Sequence, residues 1–297
     1  MIKIQDIINQ RKKDLQKTME IKPFKDLKSQ FEDIFDGSRG FAKNNRSKDP
    51  LKTENLKTRN SKNAETFKNS ITHEENVCVI CEYKPASPSM GDISSAPIKD
   101  ALDVFKESGA SAVSILTEEN FFKGSLGNLK SASKITELPL LRKDFVLDEY
   151  QIYEAKLAGA SAVLLISGLY PDLSSGIELC NDMAIDALVE CKNRSDIEGA
   201  LKAGAQIIGI NNRNFEDFTI DLKKTQKLAG YVPPEIVLVS ESGVKTPDDA
   251  KLLASYGADA ILVGTGIMGE SSKIRMLEAA NGIINILNGS KVERIKN

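Results

Sequence analysis

A short phrase returns four times in the chain: SGASAV at 108–113, AGASAV at 158–163, AGAQII at 203–208 and YGADAI at 256–261. Its glycines, Gly109, Gly159, Gly204 and Gly257, stand 50, 45 and 53 residues apart. In each copy a helical pattern ends on the glycine and an apolar run starts just after it. That is how a helix closed by a left-handed glycine passes into a strand. Other apolar runs alternate with these four, so that eight occur in order, at 77–84, 111–116, 138–145, 161–166, 186–190, 206–211, 235–241 and 259–264. Segments with helical spacing lie between them. A doubly wound sheet also alternates strand and helix, but it has no reason to repeat one phrase at near-equal intervals. Nor does a GxGxxG follow the first run. The 221 residues from Val77 onward give about 28 per strand–helix unit, within reach of the usual length of a (β/α)8 barrel. The predicted fold class is α/β, a (β/α)8 TIM barrel.

Before the barrel, residues 1–36 place Ile4, Ile7, Ile8, Leu15 and Met19, then Phe24, Leu27, Phe31 and Ile34, at helical spacing. They predict an N-terminal helical extension. Residues 37–76 change character, with eight Lys/Arg against two acids over 37–63. This Lys/Asn-rich tract reads as a mobile, solvated loop. The barrel domain is expected over 77–290, with a tail at 291–297.

Composition narrows the function classes. The 40 basic and 42 acidic side chains nearly cancel, which argues against nucleic acid or an anionic membrane as the main partner. No apolar run approaches the ~18 residues of a membrane span. The first residues lack the apolar core of a signal peptide, so a cytoplasmic protein is expected. Cys78 and Cys81 spell C-x-x-C, but inside a strand-like run residues three apart face opposite sides. With His73 the only histidine, reduced core cysteines are expected rather than zinc or a histidine-based triad.

Active sites of such barrels lie at the C-terminal strand ends. Polar groups gather there. The first run ends in Glu82 and Lys84, the third in Lys143, the fifth in Glu190, the sixth in Asn211 and Arg213, the seventh in Glu241 and Ser242. Residues two apart share a face, so Glu82 and Lys84 follow Ile80, while Leu141, Lys143 and Phe145 align likewise. Charges directly after apolar strand cores are costly unless they pair around a polar cavity. Two lysines among three carboxylates form an acid/base set suited to protonating a carbonyl oxygen or expelling hydroxide, without metal or redox cofactor. Separately, Gly243 follows the seventh run and Gly264-Thr265-Gly266 follows the eighth. Loops at those positions commonly offer backbone N–H groups to a phosphate.

Seven ordered segments carry a resemblance between Val77 and Met268: EYKPASPS (82–89), LTEENFFKGSLGNL (116–129), LLRKDFVLDEYQIYEAKLAGASAVLLI (140–166), ALVE (187–190), IIGINNRNF (207–215), SESGV (240–244) and LVGTGIM (262–268). The chain resembles the indole-3-glycerol phosphate synthase family, whose N-terminal extension packs over the barrel mouth. The resemblance implies ring closure of 1-(2-carboxyphenylamino)-1-deoxyribulose 5-phosphate with loss of CO2 and water, in tryptophan synthesis. It implies Lys143 as general acid at the carbonyl, Glu190 as the carboxylate assisting dehydration and Lys84 as partner acid. Glu82 and Glu241 would orient the lysines, and Asn211 would hold substrate hydroxyls. Ser87, Arg213, Ser242, Gly243, Gly264 and Thr265 would bind phosphate or adjoining atoms, and Phe145 and Phe215 the aromatic ring. Pro85 and Met90 stand where basic residues are frequent in the family. The implied partner is a small phosphorylated substrate, with other tryptophan-pathway enzymes as further candidates; no cofactor is required. A Schiff-base lysine aldolase on the same barrel, a phosphoribosylanthranilate isomerase and a non-catalytic scaffold are the rival readings.

Overall fold

The four repeated glycines adopt φ of 84°, 89°, 93° and 87° in a computed structural model that describes residues 3–35, 66–214 and 216–294. In the first three copies the next residue's N–H reaches back across the helix end: Ala110 to the Phe105 carbonyl, Ala160 to Ala155 and Ala205 to Ala200, each at 3.0 Å. These bonds satisfy carbonyls that the helix leaves unpaired. One residue later the chain has entered the sheet, Ser111 N–H donating to Val79 (2.9 Å) and Ser161 N–H to Leu140 (2.8 Å). Helix stop and strand start are thus compressed into three residues.

The strands are β1 (Cys78–Tyr83), β2 (Ala112–Leu116), β3 (Leu140–Lys143), β4 (Ala162–Ile166), β5 (Asp186–Cys191), β6 (Ile207–Asn211), β7 (Val237–Glu241) and β8 (Ala260–Val263). They are parallel, and β1 pairs with both β2 and β8, closing an eight-stranded barrel. This is the expected (β/α)8 architecture. Alternation along each strand divides the apolar residues into two cores. Val79, Cys81 and Tyr83 belong to the layer under the surrounding helices, with Phe105, Leu129 and Ile283. Cys78 and Ile80 belong to the barrel interior, with Leu141, Leu164, Leu188 and Val239. The two cysteines of the C-x-x-C pattern therefore face opposite sides of one strand, and both are buried.

The N-terminal extension forms α1 (Ile4–Ile21) and α2 (Phe24–Phe35). Ile7, Arg11 and Leu15, on one face of α1, are buried. Ile7 joins the interior cluster, so α1 packs on the barrel. Arg11 donates through Nε to Asp144 Oδ1 (2.9 Å) and through Nη2 to Oδ2 (2.6 Å). Asp144 also accepts from Thr117 Oγ1 at 2.6 Å and Arg142 Nη2 at 3.1 Å. Burial opposes the charge of Asp144, yet Arg11, Arg142 and Thr117 together hold its carboxyl below the usual carboxylate range. Phe24 of α2 packs edge-on against Tyr153 at 5.3 Å, on the helix Glu149–Leu157.

Two expectations change. The polar tract expected over 37–76 does not continue to its end, because residues 66–71 are built into the barrel. Thr66 caps α3 (Phe67–Ser70) by accepting from Asn69 N–H. Phe67 and Ile71, four apart on one helical face, are fully buried with the interior cluster. Lys68 N–H donates to Asp186 Oδ2 (2.8 Å) and its Nζ to Gln206 Oε1 (3.1 Å). Those partners precede or open β5 and β6, so α3 closes the end of the barrel opposite the strand C-termini. Residues 37–65 lie outside the described residues. The expected tail is likewise anchored as far as residue 294. Arg294 donates to the carbonyls of Gly257 and Pro233, each at 3.0 Å, and pairs with Asp259, which Lys291 also approaches at 3.3 Å. Among the described residues no helix is long and apolar enough to cross a membrane.

Phe67→Ala is expected to destabilise the fold by about 3–5 kcal/mol, the usual range for emptying a fully buried aromatic site, read from the urea unfolding midpoint. A shift under 1 kcal/mol would show that α3 is not a plug. For Asp144 the depressed pKa gives a stabilisation that is complete above the ordinary carboxylate value of about 4. It is lost as pH falls through the lower folded value. Arg11→Ala is expected to lower stability at pH 7 by about 3 kcal/mol and to move the acid unfolding midpoint upward. Unchanged acid unfolding would contradict this.

Candidate active site

The inward-facing row of most strands changes from apolar to polar at its C-terminal end. Ile80 is followed two residues on by Glu82, Ala112 by Ser114, Leu141 by Lys143, Leu188 by Glu190 and Val239 by Glu241. The same alternation that builds the interior core aims these groups inward. Glu190 and Glu241 are wholly buried and Glu82 nearly so. Charges so placed persist only if they pair. Lys84 Nζ lies 3.3 Å from Glu82 Oε1, and Lys143 Nζ lies 3.3 Å from Glu241 Oε2. Asn211 Nδ2 donates to Glu190 Oε2 (3.1 Å), and Ser114 Oγ to Glu82 Oε2 (3.4 Å).

The two lysines occupy unlike fields. Burial works against the charge of Lys143, but the carboxylates of Glu241, Glu82 and Glu190 outweigh it and hold its pKa above the ordinary lysine value. For Lys84 burial prevails: together with Lys143 and Arg213 it lowers the pKa despite the pull of Glu82. Glu241 is pushed up to about 7, by burial first and then by repulsion from Glu190 and Glu82, against the attraction of Lys143. Lys143 and Glu241 thus titrate as a linked pair. Lys143 keeps its proton and Lys84 releases one more readily, so their environments set two chemically identical groups apart.

A cleft opens above this layer, lined by Glu82, Lys84, Ser87, Lys143, Phe145, Glu190, Asn211, Arg213 and Ser242. Among the described residues, Ser87 Oγ and Glu190 Oε1 are buried without a hydrogen-bond partner. Buried polar atoms rarely stay unpaired, and both belong to residues lining the cleft. Phe145 packs against Phe122, ring centroids 6.3 Å apart, and Lys84 Nζ stands 5.9 Å from the centre of the Phe122 ring. Ile4, Ile7, Leu164 and Ile166 complete an apolar wall.

An adjoining lobe shares Glu82, Lys84, Lys143, Arg213 and Ser242 and adds Gly243, Gly264 and Thr265. Ser242 and Gly243 take φ of 67° and 102°, and Asn212 Nδ2 holds the Ser242 carbonyl at 3.1 Å. A Cβ at Gly243 would come 2.5 Å from Leu222 Cδ2, so glycine is required by both conformation and space. Arg213 reaches across to Ser89 Oγ and to the Phe218 carbonyl, both at 3.1 Å. Pro85 turns the loop after β1, its carbonyl accepting from Ile93 N–H (2.8 Å) and Ser94 N–H (3.1 Å). Met90 lines the lobe and is half exposed.

Thirteen of the fourteen residues singled out from sequence are described, and twelve of these line the cleft or its lobe. Glu241 does not line either; it pairs with Lys143 from the fully buried layer. Phe215 lies outside the described residues. Sequence reasoning passed over Phe122, Glu118 and Asp144. Glu118 accepts from the N–H groups of Asn120 (3.0 Å), Phe121 (2.8 Å) and Phe122 (2.9 Å), fixing the loop that carries the aromatic ring. The paired phenylalanines in a glycine-bounded loop were the available signal.

Comparison with known proteins adds a family. The family model described as indole-3-glycerol phosphate synthase matches residues 31–279. A protein of that name from Methanothermobacter marburgensis is 49% identical over 213 residues, covering 72% of this chain and 77% of its own. Another, from Caldanaerobacter subterraneus, is 37% identical over 267 residues, covering 89% and 93%. Among solved structures, 3-hexulose-6-phosphate synthase superposes with a TM-score of 0.54 at 13% identity, covering 71% of this chain and all of its own. Mandelate oxidase does so with 0.56 at 15%, covering 72% and 74%. At such identities these two share the barrel fold only. With the family model spanning most of the chain and relatives aligned over most of their own length, the chain belongs to the indole-3-glycerol phosphate synthase family, carbon–carbon lyases that close the indole ring with loss of CO2 and water.

Proposed function

We propose that Lys143 is the general acid of the ring closure and that Glu190 and Lys84 carry out the dehydration. The observation that carries this reading is the Lys143 ammonium, held protonated by Glu241 at 3.3 Å with Glu82 and Glu190 close by, at the floor of the cleft. In the first step the ring carbon bearing the carboxylate attacks the ribulose C2 carbonyl, and Lys143 gives a proton to the oxygen as it gains charge. A fixed cation in a water-poor site stabilises such charge far more than it would in water. The bond to the carboxylate then breaks, CO2 leaves and the electron pair restores the aromatic ring. Finally the new hydroxyl leaves as water with a proton from Lys84, while Glu190 takes a proton from the former ribulose C1. The unpaired Glu190 Oε1 suits that task, and the lowered pKa of Lys84 suits a donor.

Binding and orientation supply the remainder of the rate. Arg213, Ser242, Gly243, Gly264 and Thr265 would hold the phosphate as a remote handle whose binding energy positions the reacting atoms. Ser87 and Asn211 would take substrate polar groups, and Phe145 with Phe122 would pack the aromatic ring. On this reading the enzyme works in the cytoplasm on a soluble phosphorylated intermediate, alongside other enzymes of tryptophan synthesis.

The chain contains no tryptophan, so product indole fluorescence is measurable against a low protein background. Lys143→Ala is expected to reduce kcat by about a thousandfold with KM within fivefold. Retention of kcat within tenfold overturns the lysine's role. Glu190→Gln is expected to lower kcat about a hundredfold and to raise the primary isotope effect with substrate deuterated at the ribulose C1. A variant as slow but without that rise would remove Glu190 from the dehydration step.

A further inference from the structure

Gly209 occupies the middle of β6, between Ile208 and Ile210, and is absent from the residues with positive φ. Conformation therefore gives no reason for glycine, and inside a strand it costs roughly 0.5–1 kcal/mol relative to alanine. Space gives the reason. A Cβ built there would lie 2.3 Å from Glu241 Oε1 and 3.4 Å from Glu241 Cδ, with Leu188 Cδ1 at 3.3 Å on another side. The carboxylate of β7 leans across the inner face of β6 into the volume a side chain would fill. A strand glycine at a close approach of this kind marks where another group must pass near the backbone.

From that seat Glu241 Oε2 reaches Lys143 at 3.3 Å, and among the described residues neither carboxylate oxygen has a hydrogen bond of good geometry. The lysine's charge and the surrounding packing hold the carboxylate. The charged groups facing it are Lys143 from β3, Glu82 from β1 and Glu190 from β5. The adjoining ends of β6 and β8 bring Asn211 and Gly264, which carry no charge.

We propose that Gly209 is a positioning residue for the ring-closing acid: its missing side chain is the seat that lets Glu241 lie against Lys143. Any side chain at 209 drives the carboxylate away from the ammonium or toward Glu82 and Glu190. The inference rests on Lys143 as the acid, and it adds a requirement on a strand residue that touches neither substrate nor lysine.

The test is a cycle of wild type, Gly209→Ala, Glu241→Asp and the double variant, with kcat, KM, the pH profile of kcat and the thermal midpoint measured for each. Gly209→Ala is expected to lower kcat on the order of a hundredfold, as for a ~1 Å misplacement, with KM within threefold. On the Glu241→Asp background, where the carboxylate is one methylene shorter, the same alanine is expected to cost less than threefold. The basic limb of kcat, set by Lys84 as the lysine of lower pKa, should stay in place. Ile208→Ala, which empties the outer core of the same strand, should lower the thermal midpoint while keeping kcat within threefold. The proposal is overturned if Gly209→Ala keeps kcat within threefold or carries the same penalty in both backgrounds. Should Gly209→Ala fail to fold, a folded double variant supports the seat and an unfolded one overturns it. The outcome is separable from the lysine's role, since Lys143→Ala reports on that role alone.

Discussion

Lys143 and Glu241 meet 3.3 Å apart where a lone charge of either sign could not remain, and their neighbours follow from that pairing. Removing water makes the pair's attraction strong and its dissolution costly. It also obliges each added charge to find a partner or a hydrogen bond. Glu82 takes Lys84 and Ser114, and Glu190 takes Asn211. The set of Glu82, Glu190 and Glu241 against Lys84, Lys143 and Arg213 is balanced in number, so the resting site is near neutral.

Placing that network at the end of strands costs the fold little, because the same side-chain alternation serves two purposes. Below the polar layer the inward row is apolar and closes on Phe67 and Ile71; at the strand ends the row carries the charged groups that face the cleft. Gly264 shows how tightly the layer is filled, since a Cβ there would approach Glu82 Oε1 to 2.7 Å. The loops after β7 and β8 press on each other at Gly266, whose Cβ would meet the Val244 carbonyl at 2.7 Å. Glycine at these places is a matter of volume, whereas at Gly109 and its three counterparts it is a matter of φ.

That distinction explains what could be read from sequence. A backbone conformation that only glycine adopts easily leaves a mark on local sequence, so the four phrases announced helix ends, strand starts and the barrel itself. Strand parity is equally local, and it aligned Glu82 with Ile80 and Lys143 with Leu141. Contacts between distant segments leave no such mark. Phe67 and Ile71 sit in a polar stretch and look isolated until the barrel end they fill is built. Arg294 resembles any charged residue near a terminus until the carbonyls of Gly257, Pro233 and Ile236 surround it. Glu241 was legible as a charge at a strand end. Its place behind Lys143, out of the cleft, depends on a vacancy in the neighbouring strand that sequence spacing does not express.

Arg142, Lys143 and Asp144 carry the division between support and chemistry into three consecutive residues. Alternation sends Lys143 inward and its two neighbours outward. Outside, Arg142 donates to the Gln151 carbonyl (2.6 Å) and to Glu154 Oε2 (3.2 Å), while Asp144 holds Arg11 of α1. The Lys143 carbonyl accepts from Thr117 N–H at 3.0 Å, and Thr117 Oγ1 bonds Asp144 in turn. The backbone on either side of Lys143 is therefore fixed from the far side of the strand, by Arg142 and by an Asp144 that also borders the cleft. A flexible lysine gains a defined starting point. The N-terminal helix reaches the site through that anchor as well as through the apolar wall that Ile4 and Ile7 contribute. A buried ammonium that keeps its proton needs both a carboxylate partner and a backbone that does not yield, and the two are supplied to Lys143 from opposite faces of one strand.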